Sequence, residues 1–139
     1  MRAKDEFDKI HELFKDLLKA ERKVFPGLGG TLDAPKEQGV YIIYSPESDG
    51  EVVLHVGRTL RGKNGLQQRL QNHLSTASSF TIEYFKKSKG GGSLLRGTHT
   101  FSFLVVAEPR ERALLEAYAV GMSCPKHLGL GSEAGTKSS

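Results

Sequence analysis

Two short runs of β-branched and aromatic residues, from Gly39 to Tyr44 and from Glu51 to Val56, flank Pro46-Glu47-Ser48-Asp49-Gly50. Branched and aromatic side chains suit a pleated, half-buried surface, so each run reads as a strand. The segment between them carries a fixed-φ proline, then serine and aspartate that hydrogen-bond their own backbone, then a glycine. An antiparallel hairpin is therefore expected, with the rest of the chain arranged around it.

Upstream, from Asp5 to Lys23, Phe7, Ile10, Leu13, Phe14, Leu17 and Leu18 recur at the spacing of one helix face. Asp5 suits the N-cap, and Pro26-Gly27 with Gly29-Gly30 marks the stop. Downstream, a basic, glycine-bounded loop from Arg58 to Asn64 leads into a helix whose Leu66, Leu70 and Leu74 lie four apart. Arg69 and His73 are one turn from each other on that helix. The stretch from Ser78 to Lys89 reads equally as strand or helix, and Gly90-Gly91-Gly92 ends it in a flexible loop. From His99 to Val106 the pattern alternates as a third strand, with Phe101, Phe103 and Val105 on one face. Pro109 suits the first turn of a last helix, whose apolar face holds Leu114, Leu115, Tyr118 and Ala119, and Gly121 or Pro125 should end it.

The expected architecture is α+β: a small antiparallel three-stranded central sheet (hairpin, helix, third strand, helix) flanked by helices, with an extra N-terminal amphipathic helix. Residues 1–35 are the N-terminal helix and a linker packing on the core, 36–131 the main domain, and 132–139 a small, polar, disordered tail.

With 139 residues, 37% hydrophobic and 26% charged, the chain fits one folded core rather than a disordered segment. No apolar run approaches the ~20 residues that span a bilayer, and charge from Arg2 onward argues against a signal peptide. The single cysteine, Cys124, excludes an internal disulfide and a multi-cysteine zinc site; it is expected to be a small buried residue. The default compartment is cytoplasmic. The net charge of +4 is mild, but its placement is uneven. From Arg58 to Arg96 the single acidic residue is Glu83, against Arg58, Arg61, Lys63, Arg69, Lys86, Lys87, Lys89 and Arg96. That third of the chain reads either as a phosphate-facing surface or as a solvated basic face.

The order Gly39-Val40-Tyr41, His55-Val56-Gly57-Arg58-Thr59, Gly65-Leu66 leading to Arg69 and His73, then Leu114-Leu115-Glu116 followed by Pro125, resembles the GIY-YIG nuclease domain family. The resemblance runs from Gly39 to about Pro125 and makes 36–131 a domain of that kind. It implies a divalent-metal-dependent endonuclease that hydrolyses phosphodiester bonds in DNA, structured or branched DNA being one candidate substrate. It also implies site residues: Tyr41 as base or water-orienting group, Arg69 as phosphate clamp, and Glu116 as ligand of a single Mg²⁺ or Mn²⁺. His55 and His73 would assist by hydrogen bonding or proton transfer. Two departures stand out. His55 replaces the usual tyrosine of the second motif, and Lys126-His127-Leu128-Gly129 stands where many members carry an asparagine.

These residue types suit that chemistry. A cation held by one carboxylate keeps positions open for water and phosphate oxygens. A guanidinium is planar, always charged and matched to phosphate. A phenol or imidazole can take a proton from water if its surroundings lower its pKa. Glu111 is the rival carboxylate, but it lies nearer the helix start, where the dipole favours glutamate anyway. Arg58, Arg61 and Lys63 are the expected nucleic-acid contacts. DNA is the expected partner, with RNA left open and no membrane; the N-terminal helix could dock a partner protein or form a homodimer. His11, His99 and His127 have no assigned role. The alternative reading is a catalytically weak nucleic-acid-binding or protein-interaction module on the same fold.

Overall fold

The computed structural model describes residues 2–48, 52–75, 78–86 and 91–130. The end of the hairpin turn, Lys87 and Lys89 of the basic stretch, Gly90, and the polar tail lie outside the described residues. The elements run α1 (Ala3–Lys19), β1 (Lys23–Val24), β2 (Gly39–Tyr44), β3 (Val53–Arg58), α2 (Gly65–Ser75), α3 (Ser79–Phe85), β4 (Thr100–Val105) and α4 (Pro109–Ser123). Short 3₁₀ turns occupy Pro46–Ser48 and Gly91–Leu95.

The sheet is antiparallel in the order β1-β4-β2-β3. The three expected strands form its body, and the two-residue β1 adds an edge beside β4. Strand β2 is interior, and every residue in it is buried. Its side chains alternate between two cores, as a period of two requires. Val40, Ile42 and Tyr44 join Ile10, Phe14, Leu17, Leu115 and Ala119 from α1 and α4. Tyr41 and Ile43 join Leu66, Leu70, Leu74 and Phe80 from α2 and α3. The result is a three-layer sandwich. Fully burying an apolar side chain is worth roughly 1.5–3 kcal/mol, so these two cores supply the main drive to fold.

Strand β3 is the other edge. A bulge between Ile43 and Tyr44 sets its register, pairing Ile43 with His55 and Tyr41 with Gly57. His55 and Gly57 thereby share the α2–α3 face with Tyr41. The segment after α4 returns along this edge: Lys126 and His127 donate their backbone N–H groups to Val53 O and Leu54 O at 3.0 and 2.8 Å. An open strand edge is satisfied in that way over its first residues.

Several expectations are corrected. Helix α1 begins at Ala3 with Arg2 as N-cap, and Asp5 lies in the first turn, where it pairs with Arg2. The ambiguous stretch becomes α3, because Ser78 and Thr81 form a reciprocal capping box that outweighs the β-branched content. Gly91 and Gly92 are buried in a 3₁₀ turn rather than a flexible loop. Helix α4 runs through Gly121 to Ser123 and ends at Cys124, whose backbone is left-handed (φ 47°) and whose side chain is exposed, not buried.

One buried cation braces the layers. Arg112 of α4, 4% exposed, donates to Thr59 O, Leu60 O, Val106 O and Ala107 O at 2.8–3.1 Å. It joins the start of the basic loop after β3 to the connection between β4 and α4.

Candidate active site

Tyr41 is wholly buried, at the middle of the α2–α3 face. Opposite it Gly57 has no side chain, and a Cβ there would run into the Tyr41 hydroxyl. The first two sequence motifs are therefore one steric unit: the glycine of the second makes room for the tyrosine of the first. Gly65 has a comparable constraint at the start of α2, with φ +38° and the Glu37 carbonyl where a Cβ would sit. The first amides of α2 are taken by backbone, Leu66 N–H donating to Glu37 O and Gln67 N–H to Pro35 O.

The Tyr41 hydroxyl shares a 2.7 Å hydrogen bond with His73 Nε2. The other ring nitrogen of His73, Nδ1, lies 2.9 Å from Ser78 Oγ, the hydroxyl that caps α3. His55 packs against the same group, its ring stacked on Phe80 at 4.8 Å and 5.2 Å from the His73 ring. Burial is the largest influence on all three, and the charge of Arg69 reaches each of them. Burial pushes the Tyr41 phenol up to about 12, although Arg69 opposes the shift by charge and by a hydrogen bond. Burial, then the neighbouring imidazoles and Arg69, pushes His55 down to about 2. His73 is held at about 3, by burial first and Arg69 second. The cluster is thus neutral near pH 7, with Tyr41 carrying its proton.

Arg58 faces the opposite layer and forms an ion pair with Glu116 of α4 at 3.1 Å. Because β3 is an edge strand, groups from both layers meet around it. Glu116 is half-buried, and burial raises its pKa against the lowering effects of Arg58 and Arg69. Glu111, the rival, is committed elsewhere: it pairs with Lys9 of α1 and ties the two outer helices together. The expected nucleic-acid contacts gather beside Arg69, since Arg58, Arg61, Lys63 and Arg69 all line one cleft of about 300 Å³.

Among the described residues no group of three or more His, Cys, Asp or Glu is arranged to hold a metal. A single hard carboxylate beside an open cleft fits Mg²⁺ or Mn²⁺, ions that keep water ligands, better than it fits a zinc cage. Glu116 is the residue that would hold such an ion.

Sequence reasoning missed His127. Its Nδ1 lies 3.0 Å from His55 Nδ1, and its Nε2 lies 2.6 Å from Glu83 Oε1. The signal was its place shortly after Pro125, where the resemblance to the nuclease family broke. Ser78 was missed too, although a serine three residues before a threonine is readable as a cap.

No protein-family model matches the chain, and no curated protein matches it. Among solved structures the chain is similar to GIY-YIG endonuclease domains. One is the N-terminal endonuclease domain of UvrC from Thermotoga maritima bound to its catalytic divalent cation, magnesium; it is 26% identical, covers 68% of this chain and 85% of that chain, and has a TM-score of 0.45. A point mutant of that domain, also with its catalytic divalent cation, covers 91% of this chain and 96% of that chain at 23% identity and a TM-score of 0.45. No helix among the described residues is long and apolar enough to cross a membrane.

Proposed function

We propose that the protein is a divalent-metal-dependent endonuclease that hydrolyses phosphodiester bonds in DNA, structured or branched DNA being one candidate substrate. The observation that carries this reading is the position of Arg69. Its charge acts on Tyr41, His55, His73 and Glu116 alike, and it lines the cleft that holds Arg58, Arg61 and Lys63. A phosphate drawn into that cleft meets a guanidinium already surrounded by hydrogen-bonding groups and one carboxylate.

Arg61 and Lys63 attract the backbone, and Arg69 engages the scissile phosphate, whose negative charge grows as water attacks. When bound at Glu116, the cation supplies electrostatic stabilisation of the phosphate oxygens. Tyr41 keeps its proton, so its hydroxyl orients rather than abstracts, with His73 holding it in place. Neutral His55 accepts a hydrogen bond from water. Its proton affinity rises once a phosphate brings negative charge alongside, which offsets the depression that burial and Arg69 impose. Water is the nucleophile in this scheme, and the displaced oxygen leaves as part of a new strand end.

The test is cleavage of labelled duplex, nicked and branched DNA with Mg²⁺ or Mn²⁺, comparing wild type, Glu116→Ala and Arg69→Ala. Cleavage by wild type alone is the expected result; equal cleavage by both variants would remove these residues from the site. The Arg58–Glu116 ion pair favours one other reading, a nucleic-acid-binding module, because it neutralises the carboxylate the cation needs. Salt-sensitive DNA binding without cleavage under either metal would select that reading. The N-terminal helix buries Ile10, Phe14 and Leu17 within its own chain and leaves Phe7 and Leu18 exposed, and sizing the protein in solution tests whether that face holds a partner or a second copy.

A further inference from the structure

His127 and Glu83 form a chain of polar contacts that ends on His55, and the endonuclease reading leaves both unused. We propose that Glu83 and His127 are positioning residues that fix the tautomer of His55, placing its proton on Nδ1 and leaving the Nε2 lone pair free for water or substrate. The catalytic meaning of this relay rests on the endonuclease reading; its geometry does not.

The argument is a proton count. Glu83 Oε1, a carboxylate oxygen, accepts at 2.6 Å, so His127 Nε2 must be the donor. A neutral His127 then has no proton left for Nδ1. Two ring nitrogens 3.0 Å apart hydrogen-bond only if one of them carries hydrogen. His55 Nδ1 must therefore donate, and His55 Nε2 is left as an acceptor. Among the described residues no hydrogen bond to His55 Nε2 is present, so that acceptor is unspent.

The relay is built, not incidental. His127 is held from its backbone by the 2.8 Å bond to Leu54 O, on the strand that carries His55. Its side chain is 5% exposed, and its ring lies 5.6 Å from Phe80, the ring on which His55 stacks. The groups facing this pair are Glu83 and Phe80 from α3, His73 from α2 and Tyr41 from β2; the charge of Arg69 also reaches His55. A second proton on His127 would reverse the Nδ1–Nδ1 bond and turn His55 Nε2 into a donor. The state of a residue outside the cleft thus decides whether His55 can accept a proton.

Nitrogen-15 NMR of the full chain labelled at histidine reads the tautomer directly. The wild type, at a pH where His127 is neutral, is expected to carry the His55 proton on Nδ1. In Glu83→Leu, which removes the acceptor, and in His127→Phe the proton is expected to move to Nε2 or to divide between the two nitrogens. Glu83 is 44% exposed, so Glu83→Leu retains the fold even if His127→Phe does not. A wild-type His55 protonated on Nε2, or one unchanged tautomer in all three proteins, overturns the relay. In cleavage, kcat is expected to fall roughly 10-fold in Glu83→Leu with KM little changed, and the acid limb of the pH profile to move. Full activity in a variant whose tautomer has changed overturns the catalytic role. A wild type with the expected tautomer that cuts no DNA sinks the endonuclease reading instead and leaves the relay standing.

Discussion

Gly57 stands directly across the β2–β3 pair from Tyr41, and the phenol occupies the space a Gly57 side chain would need. The pairing explains why two short motifs separated by a turn act together. It also fixes where the Tyr41 hydroxyl can be, and through the 2.7 Å bond it fixes His73.

Gly57→Ala should accordingly displace the phenol. Overpacking of this kind costs about 1–3 kcal/mol. Thermal unfolding should register a lower Tm, and cleavage should fall further than the stability loss explains, because the Tyr41–His73 contact is broken. An unchanged Tm would mean that the tyrosine can move aside.

Glu116 gives a pH test with a definite sign. Burial raises its folded pKa above the ordinary carboxylate value, so between those two values the folded chain binds more proton than the unfolded one. That contribution to stability is full at low pH and is lost as pH rises through the raised value. Glu116→Gln should remove this dependence and abolish cleavage. Its effect on stability near neutrality should stay within about 1 kcal/mol, since the ion pair with Arg58 is partly exposed. Urea unfolding of both proteins across the carboxylate range measures the difference.

His55 and His73 give the opposite sign. Their folded values of about 2 and about 3 lie below the ordinary 6.5. Above pH 6.5 neither state is charged and nothing is lost; below it the unfolded chain takes up protons that the fold refuses. Stability should fall as pH drops from 6.5 toward 3, and His55→Phe should flatten part of that fall. Parallel acid titrations by circular dichroism check it, and equal slopes would mean that His55 is protonated in the fold.

Arg61→Ala and Lys63→Ala should weaken DNA binding almost equally across sequences. Each should reduce the slope of log affinity against log salt by about 1, the signature of one lost phosphate contact. Fluorescence anisotropy over a salt series measures this. A sequence-dependent loss with an unchanged slope would place base contacts at these residues instead.

What was legible in the sequence was local and periodic. The hairpin announced itself through branched residues around turn chemistry, and α2 through leucines four apart. Tyr41, Arg69 and Glu116 were reached by the order of motifs, not by any pattern that places them together. What was hidden depends on distance along the chain. His55 and His127 meet across 72 residues, and no local rule pairs two histidines. The two-residue β1 exists because β4 offers it partners, and its own propensity is slight. Helix α3 was masked by Phe80, Thr81 and Ile82, which favour strands, until the Ser78 cap is counted. Cys124 reads as a small core residue, yet it takes the left-handed position that ends α4, where side chains point outward.

Arg112 has a consequence for how the cleft can respond to its surroundings. Its four hydrogen bonds go to neutral carbonyls of 59, 60, 106 and 107, so its charge is solvated by the backbone itself. Carbonyl acceptors, unlike carboxylates, have no charge for acid to neutralise or for salt to screen. The root of the loop bearing Arg61 and Lys63 is therefore anchored by a joint that neither acid nor salt loosens. Ionic strength can weaken the grip of that loop on a polyanion while leaving its mounting in place.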